Sequence, residues 1–219
     1  MPMGEAFVRA MNVDLERFSL PRPTIFKGAR NALISELSFR LYTNFLSNGL
    51  SLDDELIESA AVKSLANEVH IYISRLEQSS SLLLMEKAEV LEAFDLAKRL
   101  RDFIRDTNPR DAVEMHPKFT GCGILDDCEG DILVGKTLYE LKNVERDFRL
   151  ADIRQLLCYC ALNFASGKYE IDTLGLVNPR AGLYYRVGLN ALSFAVSGGP
   201  AIELLSDVIR YVSMDTPSR

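Results

Sequence analysis

The segment GDILVGKTLYELKN, residues 130–143, collects side chains suited to metal-assisted hydrolysis of a phosphodiester. Glu140 and Lys142 are two apart on an expected strand, so both leave the same face, while Leu141 between them turns into the core. Asp131 opens the preceding expected strand, and the short turn at Gly135-Lys136 brings that strand back beside Glu140. Two carboxylates and one ammonium then converge on one pocket. Carboxylate oxygens are hard ligands suited to Mg2+ or Mn2+, and the main-chain carbonyl of Leu141 offers one more. Such an ion lowers the pKa of a bound water and neutralises phosphodiester charge. Lys142 is placed to orient or deprotonate that water and to stabilise the charge that develops. Asp131, Glu140 and Lys142 are the expected catalytic set, with Asp131, Glu140 and the Leu141 backbone as metal ligands. An acid and a lysine two apart on a strand also make an ordinary solvated pair. The weight comes from the acid at the previous strand's start, the hairpin before and the helix after.

Those side chains need rigid elements to hold them. Residues 1–110 read as mainly helical, packing on or extending a core formed by residues 111–219. The first 25 or so residues hold three prolines and read as an irregular arm. Leu33, Ile34, Leu37, Leu41 and Phe45 recur at helical spacing up to a break at Asn48-Gly49. Ser51 and Asp54 resemble a helix start, followed by the stripe Ile57, Ala61, Leu65, Val69 and Ile73. Serines 79–81 separate this from a third helix, Leu83 to Arg105, closed by Asn108-Pro109. Three strands are then expected, FTGCGIL, DILVG and TLYELKN, the first two joined as a hairpin through Asp126–Gly130. A helix, ADIRQLLCYCALNFAS, ends at Gly167. The strands YEIDTLGLVN and LYYRVGL flank the turn NPRAG, in which Arg180 reads as a turn residue. A last helix, AIELLSDVIRYVS, follows Gly198-Gly199-Pro200.

Composition sets limits. The 219 residues suffice for one α/β domain or a core with a helical extension, and 47% hydrophobic with 26% charged residues is ordinary for a globular chain. No run approaches the roughly 18 apolar residues of a membrane span. The charged N-terminus does not read as a signal peptide, so the expected location is cytoplasmic. The net charge of −6 and pI near 5.1 argue against a general nucleic-acid coat, which needs a basic face. Cys122, Cys128, Cys158 and Cys160 fit no usual zinc spacing and read as buried thiols. Basic residues cluster at Lys98, Arg99, Arg101, Arg105 and Arg110, and again at Arg146, Arg149 and Arg154.

Asp131 with Glu140-Leu141-Lys142 on adjacent strands resembles the PD-(D/E)XK nuclease superfamily, and Gln155 with Tyr159 in QLLCY resembles the QxxxY element of its RecB-like branch. The likeness covers about Phe119 to Leu189, with glycine in place of the proline before Asp131. It implies a restriction-endonuclease-like α/β core, a mixed sheet flanked by helices, behind a helical N-terminal extension. It also implies an Mg2+- or Mn2+-dependent nuclease acting on DNA, with RNA as an open alternative, in bacterial defence or DNA processing. Gln155 and Tyr159 would position substrate backbone or catalytic groups, and Arg149 and Arg154 would contact phosphates. Many members add an upstream acid or histidine. His116, His70, Glu86, Glu89, Glu92 and Glu114 are the candidates, with His116 named as the added metal ligand. Some related nucleases carry a metal cluster, which keeps an iron–sulfur or zinc role for the cysteines open. A different reading is a non-catalytic subunit of this fold that binds a protein partner, or a second copy, through its N-terminal helices. A third is that Asp131, Glu140 and Lys142 are ordinary surface charges.

Overall fold

The computed structural model describes residues 3–23, 30–76 and 84–214. The chain begins with α1 (Gly4–Val13), β1 (Glu16–Arg17) and α2 (Asn31–Asn48), makes a 3-10 turn at Asp54–Leu56, and continues through α3 (Ala60–Leu76) and α4 (Lys87–Thr107). After these come β2 (Val113–Met115), β3 (Lys118–Phe119), β4 (Cys128–Glu129), β5 (Ile132–Val134) and β6 (Thr137–Leu141). Next are α5 (Leu150–Ser166), β7 (Thr173–Asn178), β8 (Leu183–Gly188), α6 (Leu189–Ser197) and α7 (Ala201–Met214). The result is an α/β fold with a mixed sheet in the order β1-β8-β7-β6-β5-β2, flanked by helices, and a separate β3–β4 ribbon.

Two apolar clusters lie on opposite faces of the sheet. Alternation along the strands sends Ile132, Val134, Tyr139 and Val177 toward α2, α3 and α4, and Leu133, Leu138, Leu174 and Leu176 toward α1, α5, α6 and α7. The N-terminal helices α2, α3 and α4 therefore supply one layer of the core, while α1 crosses to the other face and β1 pairs with β8. The strands β5 and β6 form a hairpin through Gly135, whose φ of +56° suits a two-residue turn. Parallel strands need a long crossover, and β6 and β7 are parallel, joined by α5.

Several expected elements differ. The N-terminal arm contains helix α1, because Val8 and Met11, three apart, bury against the α5 side of the core. Ser51–Asp54 does not start a helix; a 3-10 turn intervenes and α3 begins only at Ala60. Serines 79–81 and Leu83 lie outside the described residues, and the third helix begins at Lys87, opened by a capping box between Glu86 and Glu89. FTGCGIL is not a strand beyond Phe119. Gly123 has a φ of +62°, and an added Cβ would lie 2.2 Å from the Val212 carbonyl oxygen, so the segment bends closely over α7. The strand that pairs with β5 is instead β2, and the expected Asp126–Gly130 turn contains β4. Leu189 opens α6, a helix not foreseen from the sequence, rather than ending β8.

Arg180 is no exposed turn residue. It is 1% exposed and ion-paired with Glu92 of α4, itself fully buried, tying the β7–β8 turn to the helical layer. Removing one member of a buried pair strands the other charge, at a typical cost of about 3–5 kcal/mol, whereas exposed pairs contribute about 0–1 kcal/mol. Glu92→Ala is accordingly expected to lower the melting temperature sharply. Glu170→Ala, which breaks the exposed 2.8 Å pair with Lys136, should leave it nearly unchanged. Equal shifts in the two variants would contradict this assignment.

Candidate functional site

The β5–β6 register pairs Ile132 with Tyr139, so one further step along the ladder sets Asp131 opposite Glu140. Both side chains take the α5 face, by the same alternation that sends Leu133 and Leu138 there. Asp131 is anchored: its Oδ2 accepts a 2.6 Å hydrogen bond from the Leu141 N–H. Glu140, 3% exposed, receives a 2.7 Å bond from the Lys142 ammonium on Oε1, while its buried Oε2 has no partner among the described residues. Leu141 points the other way, against the α2–α4 side of the core.

Helix α5 completes the arrangement from above. Lys142 donates a second bond, 3.0 Å, to Gln155 Oε1, and Gln155 Nε2 donates to Tyr159 Oη at 2.7 Å. Gln155 and Tyr159, one helical turn apart, thus form a polar chain ending on the ammonium. The Tyr159 ring stacks on Phe119 at 5.3 Å, which couples the β3–β4 ribbon to the site. Burial, and after it the nearby Glu140 charge, raises the Tyr159 phenol above its usual range, so it stays a neutral hydrogen-bonding group. At the start of α5, Asp152 accepts from the Arg149 N–H at 2.8 Å, closing the first helical turn, and from both Arg146 Nη atoms at 2.9 and 3.1 Å. Burial opposes ionisation of Asp152, but the Arg146 bonds and the Arg149 N–H outweigh it and hold the carboxyl below its ordinary value.

The two central carboxyls behave in the opposite way. Desolvation and then the Asp131 charge push Glu140 from 4.5 to about 8, against the pull of Lys142. Desolvation also raises Asp131, opposed by the Leu141 N–H and the charges of Lys142 and His116. An unpartnered buried carboxylate oxygen beside a second carboxyl is an arrangement that a bound cation would relieve. Even so, no group of three or more His, Cys, Asp or Glu side chains among the described residues is arranged to hold a metal.

The other candidates scatter. His116, with φ +53°, donates its N–H to the Asp131 carbonyl, packs its ring on Phe39 at 4.8 Å, and sits 3.7 Å from a Glu129 oxygen. Together with Asp131 it lines a cleft of about 600 Å3 between the sheet and helices α2 and α3. Glu36 and Arg40 of α2 and Tyr72 of α3 line the same cleft, and the sequence reading missed all three. Glu36 and Arg40 already stood four apart on an expected helix, a spacing that forms their 2.7 Å ion pair. Of the other upstream candidates, Glu89 pairs with Arg30, Glu86 caps α4, Glu92 pairs with Arg180, and Glu114 accepts from the Tyr169 hydroxyl. His70 is buried on α3 with Nε2 unpartnered among the described residues.

The first basic cluster is largely neutralised: Lys98, Arg99, Arg101 and Arg105 each pair with an aspartate. In the second, Arg146 is taken by Asp152, while Arg149 and Arg154 are exposed. All four cysteines are free thiols. No single helix among the described residues is long and apolar enough to cross a membrane. No family model and no curated protein matches the chain.

The raised Glu140 carboxyl gives a pH dependence with a definite sign. Between 4.5 and about 8 the unfolded chain has released a proton that the folded chain still holds. Stability from this group is therefore full below its unfolded pKa and lost as pH rises through the folded one. Glu140→Gln removes that loss. The melting temperature of the variant, relative to wild type in metal-free buffer, is expected to climb across this window and level off above it. A difference independent of pH would assign Glu140 an ordinary hydrated environment.

Proposed function

We propose that this chain is a divalent-metal-dependent nuclease with a restriction-endonuclease-like core, hydrolysing phosphodiester bonds in DNA. The observation that carries the reading is the meeting of Asp131, Glu140, Lys142 and Gln155 from three separate elements in one partly shielded site. The order of β2, β5, β6, α5 and β7, with only β6 and β7 parallel, suits such a core.

The donor set fits Mg2+ or Mn2+. These ions accept one or two protein carboxylates and complete their shell with water and substrate phosphate, so a third acidic ligand is not required. Asp131 and Glu140 Oε2 would hold the ion, with the Leu141 carbonyl as a further donor. The ion would supply Lewis-acid activation of water and neutralisation of phosphate charge. The chain's own residues do the rest. The Leu141 N–H fixes the orientation of the Asp131 carboxyl. Lys142 presents a cation to the charge that develops on the phosphoryl oxygens, and Gln155, braced by Tyr159, limits where that cation can sit. Arg149 and Arg154 carry exposed charge for the flanking phosphates.

One observation favours a second reading, a non-catalytic subunit that binds a partner. Phe194, Ile202, Tyr211 and Met214 of α6 and α7 are each about half exposed or more, and exposed apolar groups of this kind mark interfaces when they are contiguous. Ile71, Tyr72 and Leu76 of α3 are exposed as well.

Incubation with linear and circular DNA, single-stranded DNA and RNA, each with Mg2+ or Mn2+, tests the proposal. The expected outcome is metal-dependent cleavage that falls by roughly a hundredfold or more in Glu140→Ala and in Lys142→Ala. Absence of cleavage by wild type, or equal cleavage by the variants, would overturn it in favour of the subunit reading.

A further inference from the structure

Lys142 has two demands on it. Its ammonium now donates to Glu140 Oε1 at 2.7 Å, yet a carboxylate that takes a dication can no longer be its main partner. The Gln155 amide oxygen at 3.0 Å is neutral and offers orientation but no compensating charge. A second anion does stand within reach: Asp152 Oδ1 lies 3.8 Å from Nζ.

Asp152 is unusually well fixed for such a role. Its side chain is 5% exposed, both Nη atoms of Arg146 grip it, and the Arg149 N–H holds the oxygen bonded to Arg146 Nη1. A bidentate guanidinium defines the plane of the carboxylate as well as its position. Oδ1 therefore faces Lys142 from a site that does not depend on Lys142. The ammonium is thus suspended between one carboxylate that a ligand would engage and one that is already locked. The whole Lys142 side chain is 17% exposed.

We infer that Asp152, locked by Arg146, is a positioning residue: it retains the Lys142 ammonium in the site when Glu140 is engaged elsewhere. The inference rests on the nuclease reading for its purpose, though not for its geometry. It also gives Arg146 a duty other than phosphate contact, since its guanidinium is committed to Asp152.

Asp152→Asn removes the charge while leaving an amide oxygen to accept from the Arg149 N–H, so the helix start is retained. Two measurements test the idea. In protein labelled with 15N-lysine and free of metal, the Lys142 ammonium is expected to give a proton-coupled nitrogen signal that exchanges slowly with water. With Mg2+ added this signal should persist in wild type and be lost in Asp152→Asn and in Arg146→Ala, and Asp152→Glu should restore part of it. A Lys142 signal unchanged in Asp152→Asn would overturn the inference whether or not the protein cleaves DNA. In cleavage assays Asp152→Asn should lower kcat by about tenfold with KM little changed, and should add nothing to Lys142→Ala. An equal loss in both backgrounds would make Asp152 merely structural. Absence of any wild-type cleavage would overturn the nuclease reading and leave the ammonium signal to decide the role of Asp152.

Discussion

Two carboxyl groups held side by side with little access to water are costly, and the surroundings of Asp131 and Glu140 are arranged around that cost. Burial penalises each charge, and the Asp131 charge adds to the penalty on Glu140. Compensation arrives from three directions: the Leu141 N–H on Asp131, the Lys142 ammonium on Glu140, and the polar chain through Gln155 to Tyr159 that keeps the ammonium in place. One oxygen of Glu140 is left without a partner among the described residues. A fold that needed only stability would fill this place with apolar side chains, as β6 does two residues away on the same face at Leu138.

The sheet makes the pairing possible. An antiparallel hairpin sets Asp131 across from Glu140, and the parallel step from β6 to β7 requires a crossover, which lays α5 over the same face. The helix then meets the site with its first two turns, where Asp152 and Gln155 stand. The first turn also carries a partial positive charge that favours the Asp152 carboxylate. Behind the sheet, the buried Arg180–Glu92 pair and the aromatic group of Phe103, Tyr139 and Tyr184 lock the helical layer in register. The N-terminal helical layer is one wall of the core.

Legibility followed the range of the interactions. The shared face of Glu140 and Lys142, the turn at Gly135, the cap at Gly167 and the one-turn spacing of Gln155 and Tyr159 are local matters of period and backbone freedom, and each could be read directly. Short elements could not. Val113–Met115 is a strand because β5 offers it a ladder, and the run after Phe119 is not one because it must bend over α7. Helices α1 and α6 are brief, and burial against α5 and its neighbours holds them. Arg180 read as a turn residue because nothing near it in the chain announces Glu92, 88 positions away.

The sequence by itself determined the longer helices, the hairpin that carries Asp131 and Glu140, and the face on which Lys142 emerges, since these depend on residues within a few positions of one another. Tertiary structure alone decided which charges remain available. Arg146 and most of the first basic cluster are spent on aspartates, Glu89 and Glu92 on arginines, and Lys142 is shared between Glu140 and Asp152. The physical reason is that a charge acts through its nearest counter-charge in a poorly hydrated place. Which counter-charge is nearest is set by packing, not by distance along the chain.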